Sequence, residues 1–117
     1  MTNTKYHIEL KQFMDEYVTL VYKLTKTFPR DEMFGMTSQL RRSALSVILN
    51  YIEGYARRRK LVLTNFIEIS YGSLKESKYL LYFSYKQSYI TKLDWEQADK
   101  KADEIGGMLW GILKNLT

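Results

Sequence analysis

The sequence has no cysteine, a single proline and a single histidine among its 117 residues. Without cysteine there is no disulfide framework, no thiolate zinc site and no thiol nucleophile. One proline, Pro29, and the lack of strand-turn punctuation argue against a sheet protein. His7 lies near the fraying start of the first helical segment, with no cysteine or ordered acidic motif to complete a metal site. No glycine-rich loop of the phosphate-cradling kind is present either. The expectation is a protein that is not an enzyme and uses neither cofactor nor metal. No apolar run reaches the roughly 18 residues of a membrane span, and the opening MTNTKYHIEL lacks the basic-then-apolar pattern of a secretion signal. A cytoplasmic location with no membrane partner is expected.

What is present suits one domain over residues 1–117: 45% hydrophobic content and no Pro/Gly/Ser-rich linker. The net charge of +5 and pI near 9.3 favour polyanions as partners. Placing residues at about 100° per step resolves the chain into four helices. From Lys5 to Thr27 the apolar set including Leu10, Met14, Tyr17, Val21 and Leu24 falls on one arc, and Phe28 and Pro29 stop the helix. A connector containing Gly35 and one short helical turn follows. The second helix opens at Thr37 or Ser38, whose hydroxyls can cap it, and runs to about Arg58. A break near Arg59 and Lys60 leads to a third helix, about Leu61 to Tyr89. Thr91 with Asp94 forms a capping signal for the fourth, which ends near Leu116. Short connections then imply an all-α, antiparallel up-down-up-down four-helix bundle.

The second and third helices have more apolar circumference than one bundle can cover. Leu45, Leu49 and Ile52 extend the second well beyond a stripe of about 100°. A homo-oligomer built on these two helices is expected, with a monomer whose surplus lies under the connector as the alternative. The polar side of the second helix is small: Ser43, Ser46, Asn50 and Gly54. If the two helices turn near residue 60, positions whose numbers sum to about 120 share a height, which pairs Ser43 with Ser77, Ser46 with Ser73 and Asn50 with Ser70. The stripe is then buried against another helix; a solvated face is the other reading. Glu53 and Arg57 can pair along the helix, whereas Arg42 and Glu76 need partners elsewhere.

The same residues carry a resemblance. "FPRDE", "TSQLRRS", "SVILNYIEG" and "YGSLKES" resemble successive stretches of the four-helix-bundle family encoded in intervening sequences of bacterial 23S rRNA genes. The pattern falls on Phe28, Pro29, Glu32, Gln39, Leu40, Arg41, Arg42, Ser46, Asn50, Glu53, Gly54, Gly72, Ser73 and Glu76. Ser70 stands where many members have alanine, and Ser77 where leucine is usual. The resemblance implies a homopentameric barrel. It extends to accessory proteins of diversity-generating retroelements, which bind a reverse transcriptase and nucleic acid.

Two further features favour RNA or DNA. Arg57, Arg58, Arg59 and Lys60 concentrate positive charge at a helix end, where it also complements the helix dipole without any ligand. A band of Tyr71, Lys75, Lys78, Tyr82, Tyr85 and Tyr89 mixes cations with rings able to stack on bases, although such rings also serve bundle packing. The candidate nucleic-acid-binding set is Arg41, Arg57, Arg58, Arg59, Lys60, Lys75, Lys78 and Tyr82. The candidate polar network or interface is Arg42, Ser43, Ser46, Asn50, Glu53, Gly72, Ser73 and Glu76. Two functions stay open: an oligomeric nucleic-acid-binding accessory protein, or a scaffold docking a polymerase or other acidic partner without nucleic-acid contact.

Overall fold

The computed structural model describes residues 4–117, and among these the regular structure is helical. Four α-helices follow one another: α1 (Lys5–Thr25), α2 (Met36–Tyr55), α3 (Lys60–Lys86) and α4 (Lys92–Leu116), with a 3-10 turn at Arg30–Glu32 in the first connection. Each helix packs on its neighbours in sequence, and α4 closes the ring against α1. Cross-helix pairs give the sense. Glu16 meets Lys101 and Tyr6 meets Met108, so numbers rise along α1 as they fall along α4. Lys78 meets Asp103 and Tyr85 meets Trp95, so α3 and α4 are antiparallel too. The up-down-up-down bundle expected from periodicity is what forms, 43 × 25 × 20 Å in extent. Among the described residues no helix is long and apolar enough to cross a membrane.

The core arises because each helix directs one arc inward. Leu10, Met14, Tyr17 and Val21 of α1 pack with Leu40, Ala44 and Val47 of α2. Ile67, Leu74 and Leu81 of α3 and Ala102, Ile105 and Leu109 of α4 complete the layers. α3 adds a serine every seventh residue: Ser70, Ser77 and Ser84 are fully buried. Their hydroxyls are satisfied, as burial requires. Ser70 donates to the Val47 carbonyl at 2.6 Å, Ser84 to Leu80 at 2.8 Å, and Ser77 shares a 2.7 Å bond with the Tyr17 hydroxyl. Gly54 lets α2 and α3 approach at their turn, since a Cβ there would lie 3.0 Å from that of Phe66. Gly106 is likewise buried, and a Cβ there would lie 3.3 Å from the Leu74 side chain.

Helix ends depart from the expectation at several points. α1 stops at Thr25 rather than Thr27; at its start the Thr4 side chain accepts from the His7 amide, and His7 Nδ1 bonds the Tyr51 hydroxyl. α2 is capped by neither Thr37 nor Ser38. Gly35 occupies the cap position, and the Glu32 carboxylate accepts from the Met36 amide at 3.1 Å instead. A preceding acidic side chain thus does the work expected of a hydroxyl. α2 ends at Tyr55 and not near Arg58, leaving Arg57 to Arg59 in the turn. α3 ends at Lys86, three residues before Tyr89, because Ser88 adopts a left-handed conformation with φ 63°. There the Tyr89 amide donates to the Ser84 carbonyl and the Ser88 amide to Tyr85, a Schellman closure. The Thr91/Asp94 capping box forms as expected.

Candidate functional site

The outer face of α2 and α3 contains the small polar stripe. Ser46 and Ser73 bond across the two helices at 2.8 Å, at the height expected. The other two pairings do not form. Ser43 turns back onto the Leu40 carbonyl, and Ser77, its expected partner, is taken by Tyr17 from the opposite side of α3. Asn50 donates along its own helix to the Ser46 carbonyl and hydroxyl, while Ser70 reaches the α2 backbone at Val47. The stripe is therefore a mixture of hydrogen bonds along and across helices. Ser43 is buried, but Ser46, Asn50 and Ser73 are only partly covered.

Above the Ser46–Ser73 bond lies a cleft of about 270 Å³ lined by Gln39, Arg42, Ser43, Ser46, Ser73 and Glu76. Arg42 and Glu76 are exposed and make no ion pair within 4.0 Å among the described residues. Gly72 is exposed beside this face, and a Cβ there would meet nothing. Glu53 of α2 pairs as expected with Arg57, four residues on and just past the helix end. Leu49 is 53% exposed, Ile52 51% and Ile69 43%, so both helices leave apolar side chains uncovered.

The candidate cations differ in how far neighbouring groups engage them. Arg41 is committed to the end of α1: its Nε donates to Thr25 Oγ1 at 2.7 Å and its guanidinium lies 4.7 Å over the Tyr22 ring. Lys78 is committed to α4, bonded to Asp103 and 3.5 Å from Asp99. Burial disfavours its charge, yet the two carboxylates outweigh this and hold its pKa above the ordinary lysine value. Arg57 is half engaged, paired with Glu53 and 5.4 Å over the Phe66 ring. Arg58, Arg59 and Lys60 are exposed at the α2–α3 turn with no acidic partner within 4.0 Å among the described residues. Arg57, Arg58 and Arg59 together line a concavity of about 260 Å³.

The tyrosine band divides the same way. Tyr85 stacks on Trp95 at 5.1 Å and 5°, and Tyr82 meets that indole edge-on at 5.6 Å while keeping an exposed face. The Tyr89 hydroxyl donates to Glu32 at 2.9 Å, which raises the phenol's pKa; the bond from the Met36 amide, and after it this one, lowers that of the carboxyl. These rings pack, as bundle tyrosines commonly do. Tyr71 and Lys75 behave differently: Lys75 Nζ lies 5.2 Å over the Tyr71 ring, and the exposed Trp110 of α4 lies beside that ring at 6.0 Å. Trp110 was not among the residues expected to matter. The sequence offers only a slight signal for it: it falls off the apolar arc of Ala98, Ala102, Ile105 and Leu109.

The pattern of the 23S rRNA-intervening sequence protein family matches residues 7–111. The chain belongs to that family. Among curated proteins, none matches. A crystal structure from Bacteroides thetaiotaomicron, described as a protein with unknown function from the S23 ribosomal protein family, superposes with a TM-score of 0.81. It is 24% identical, and the match covers 90% of this chain and 98% of that one, a likeness that establishes a shared fold. The family match spans the connector, the α2–α3 face and most of α4, so the cleft and the basic turn both lie inside it.

Proposed function

We propose that this protein is a non-catalytic, self-associating accessory protein that binds RNA or DNA through the basic turn between α2 and α3. One observation carries the reading. Arg58, Arg59 and Lys60 are three consecutive exposed cations at one turn, with no acidic partner within 4.0 Å among the described residues, whereas Arg41 and Lys78 are tied to oxygen atoms of a neighbouring helix. Cations without intramolecular partners are those that gain most from neutralising phosphates and releasing counterions. Self-association supports the reading in turn. α2 and α3 carry both the uncovered Leu49, Ile52 and Ile69 and an Arg42 and Glu76 without ion pairs among the described residues, a combination that suits a second copy of the chain better than water. Five copies, the number implied by the resemblance, each with charge +5, bring +25 into one assembly, and weak contacts repeated around a ring add through multivalency.

The experiment is a salt-dependent binding measurement. Replacing Arg58, Arg59 and Lys60 together with alanine lowers affinity for mixed-sequence RNA and flattens the salt slope by roughly 0.7–0.9 for each phosphate no longer neutralised. Affinity that stays constant as salt rises overturns the proposal.

A further inference from the structure

We infer that the α3–α4 seam around Trp110 is a stacking platform for an unpaired base, so that the nucleic acid this protein holds is single-stranded where it crosses that seam. This rests on the nucleic-acid reading above and adds the strand class to it. Trp110 is 56% exposed, although it has an aromatic neighbour on one side, Tyr71, 6.0 Å away with the rings 40° apart. The other tryptophan, Trp95, shows what this bundle does with an indole it needs for packing, stacking it flat on Tyr85 with Tyr82 at its edge.

The ground beside Trp110 is open. Gly107 precedes it by one turn on α4 and Gly72 follows Tyr71 on α3; both are exposed, and a Cβ at either would meet no atom within 4 Å. A flat ring can therefore approach the indole without meeting a side chain from these two positions. The cation is in place as well. Lys75 is exposed, lies over the Tyr71 ring, and has no carboxylate within 4.0 Å among the described residues. A ring able to stack on any base, next to a charge able to meet its phosphate, is the recurring arrangement of sequence-tolerant single-strand binding.

Position and charge select the occupant. Tyr71 lies 11 residues along α3 from Lys60, a rise of about 16 Å, so a strand anchored on the basic turn reaches the platform within a few nucleotides. Glu68, exposed one turn before Tyr71, repels phosphate and directs the backbone towards the Lys75 side. A duplex keeps its bases stacked on one another and offers the indole none. It can use the basic turn only.

The test uses the full chain with Trp95→Phe, which leaves Trp110 as the sole tryptophan; the Trp95 indole N–H has no hydrogen-bond partner to lose. Oligo(dT) is expected to quench Trp110 emission with the same midpoint as its binding isotherm, while a duplex of equal charge binds without quenching. Trp110→Ala is expected to weaken oligo(dT) binding about tenfold, the worth of one stacked base, and to leave duplex affinity unchanged. Trp110→Phe retains part of the affinity, and unchanged melting curves show that the fold is intact. Oligo(dT) binding without quenching and at undiminished affinity in Trp110→Ala overturns the platform and leaves the basic-turn reading standing. A Trp110 that is already shielded from acrylamide in the free protein also overturns it, because a second copy or a protein partner then covers the ring. Failure of both strands to bind at low salt removes the nucleic-acid reading, and the platform with it.

Discussion

The seam between α1 and α4 and the outer face of α2 and α3 solve the same problem in opposite ways. On the first, Lys101 reaches Glu16 at 2.9 Å and the Tyr6 hydroxyl donates to the Met108 carbonyl at 2.7 Å. The Glu16 carboxyl is held below its ordinary pKa, chiefly by the hydrogen bond from Lys101. On the second, Arg42 and Glu76 line one cleft with no ion pair among the described residues, and Leu49 and Ile52 stay uncovered. The first seam is tied by side-chain bonds between its own helices, and the second leaves two opposite charges in one cleft with no bond between them among the described residues. The lesson concerns partners: self-sufficient seams tolerate change, whereas unfinished ones should be sensitive to it only in the assembly.

The largest expected effect is therefore at the apolar flank. Leu49→Asp places a charge where the proposed interface excludes water, at a cost of several kcal/mol, and light scattering should show dissociation to the 13.9 kDa chain with its helicity unchanged. Glu16→Gln on the opposite seam should leave the assembly intact. Next come reversals of the cleft charges. Arg42→Glu or Glu76→Arg alone should weaken association by tenfold or more, in the range seen for charge pairs at interfaces, and the double reversal should restore most of it if the two meet across subunits. Recovery absent in the double variant rules out that pairing.

Smaller effects sharpen the comparison within one subunit. Ser88→Gly should stabilise the fold by about 1 kcal/mol, because glycine adopts the left-handed conformation without the Cβ penalty, and a thermal melt would register it. His7 offers a pH test. Burial, with the Lys11 charge adding to it, depresses its pKa below the ordinary 6.5, so the folded state resists protonation more than the unfolded chain does. Stability is then complete above pH 6.5 and declines as the pH falls through that value towards the folded pKa. His7→Gln should flatten this part of the stability profile, and an unchanged slope would assign it to other groups.

Periodicity carried most of the architecture. The four helices, the surplus apolar flank of α2 and the Thr91 cap were all legible because each depends on residues within one helix. The height of Ser46 against Ser73 was legible too, from a turn placed near residue 60. What one helix could not reveal was which of several equidistant partners wins. Ser77 lies at the height of Ser43 but points towards Tyr17, since α3 turns its heptad serines into the core. Lys78 looked like a free cation because its acids lie on α4, 21 and 25 residues further on. Trp110 was overlooked for a related reason: an apolar residue off the arc reads as scatter until the glycines beside it are seen on two helices at once.

Glu32 joins two connections that are far apart in sequence, accepting from the Met36 amide before α2 and from the Tyr89 hydroxyl after α3, with Phe28 against the same tyrosine ring at 5.3 Å. One carboxylate thus rivets both loops at that pole of the bundle. At the opposite pole, where Arg58, Arg59 and Lys60 emerge, the His7–Tyr51 bond joins the start of α1 to the end of α2, and the basic turn itself is left unbridged by any ion pair to α1 or α4 among the described residues.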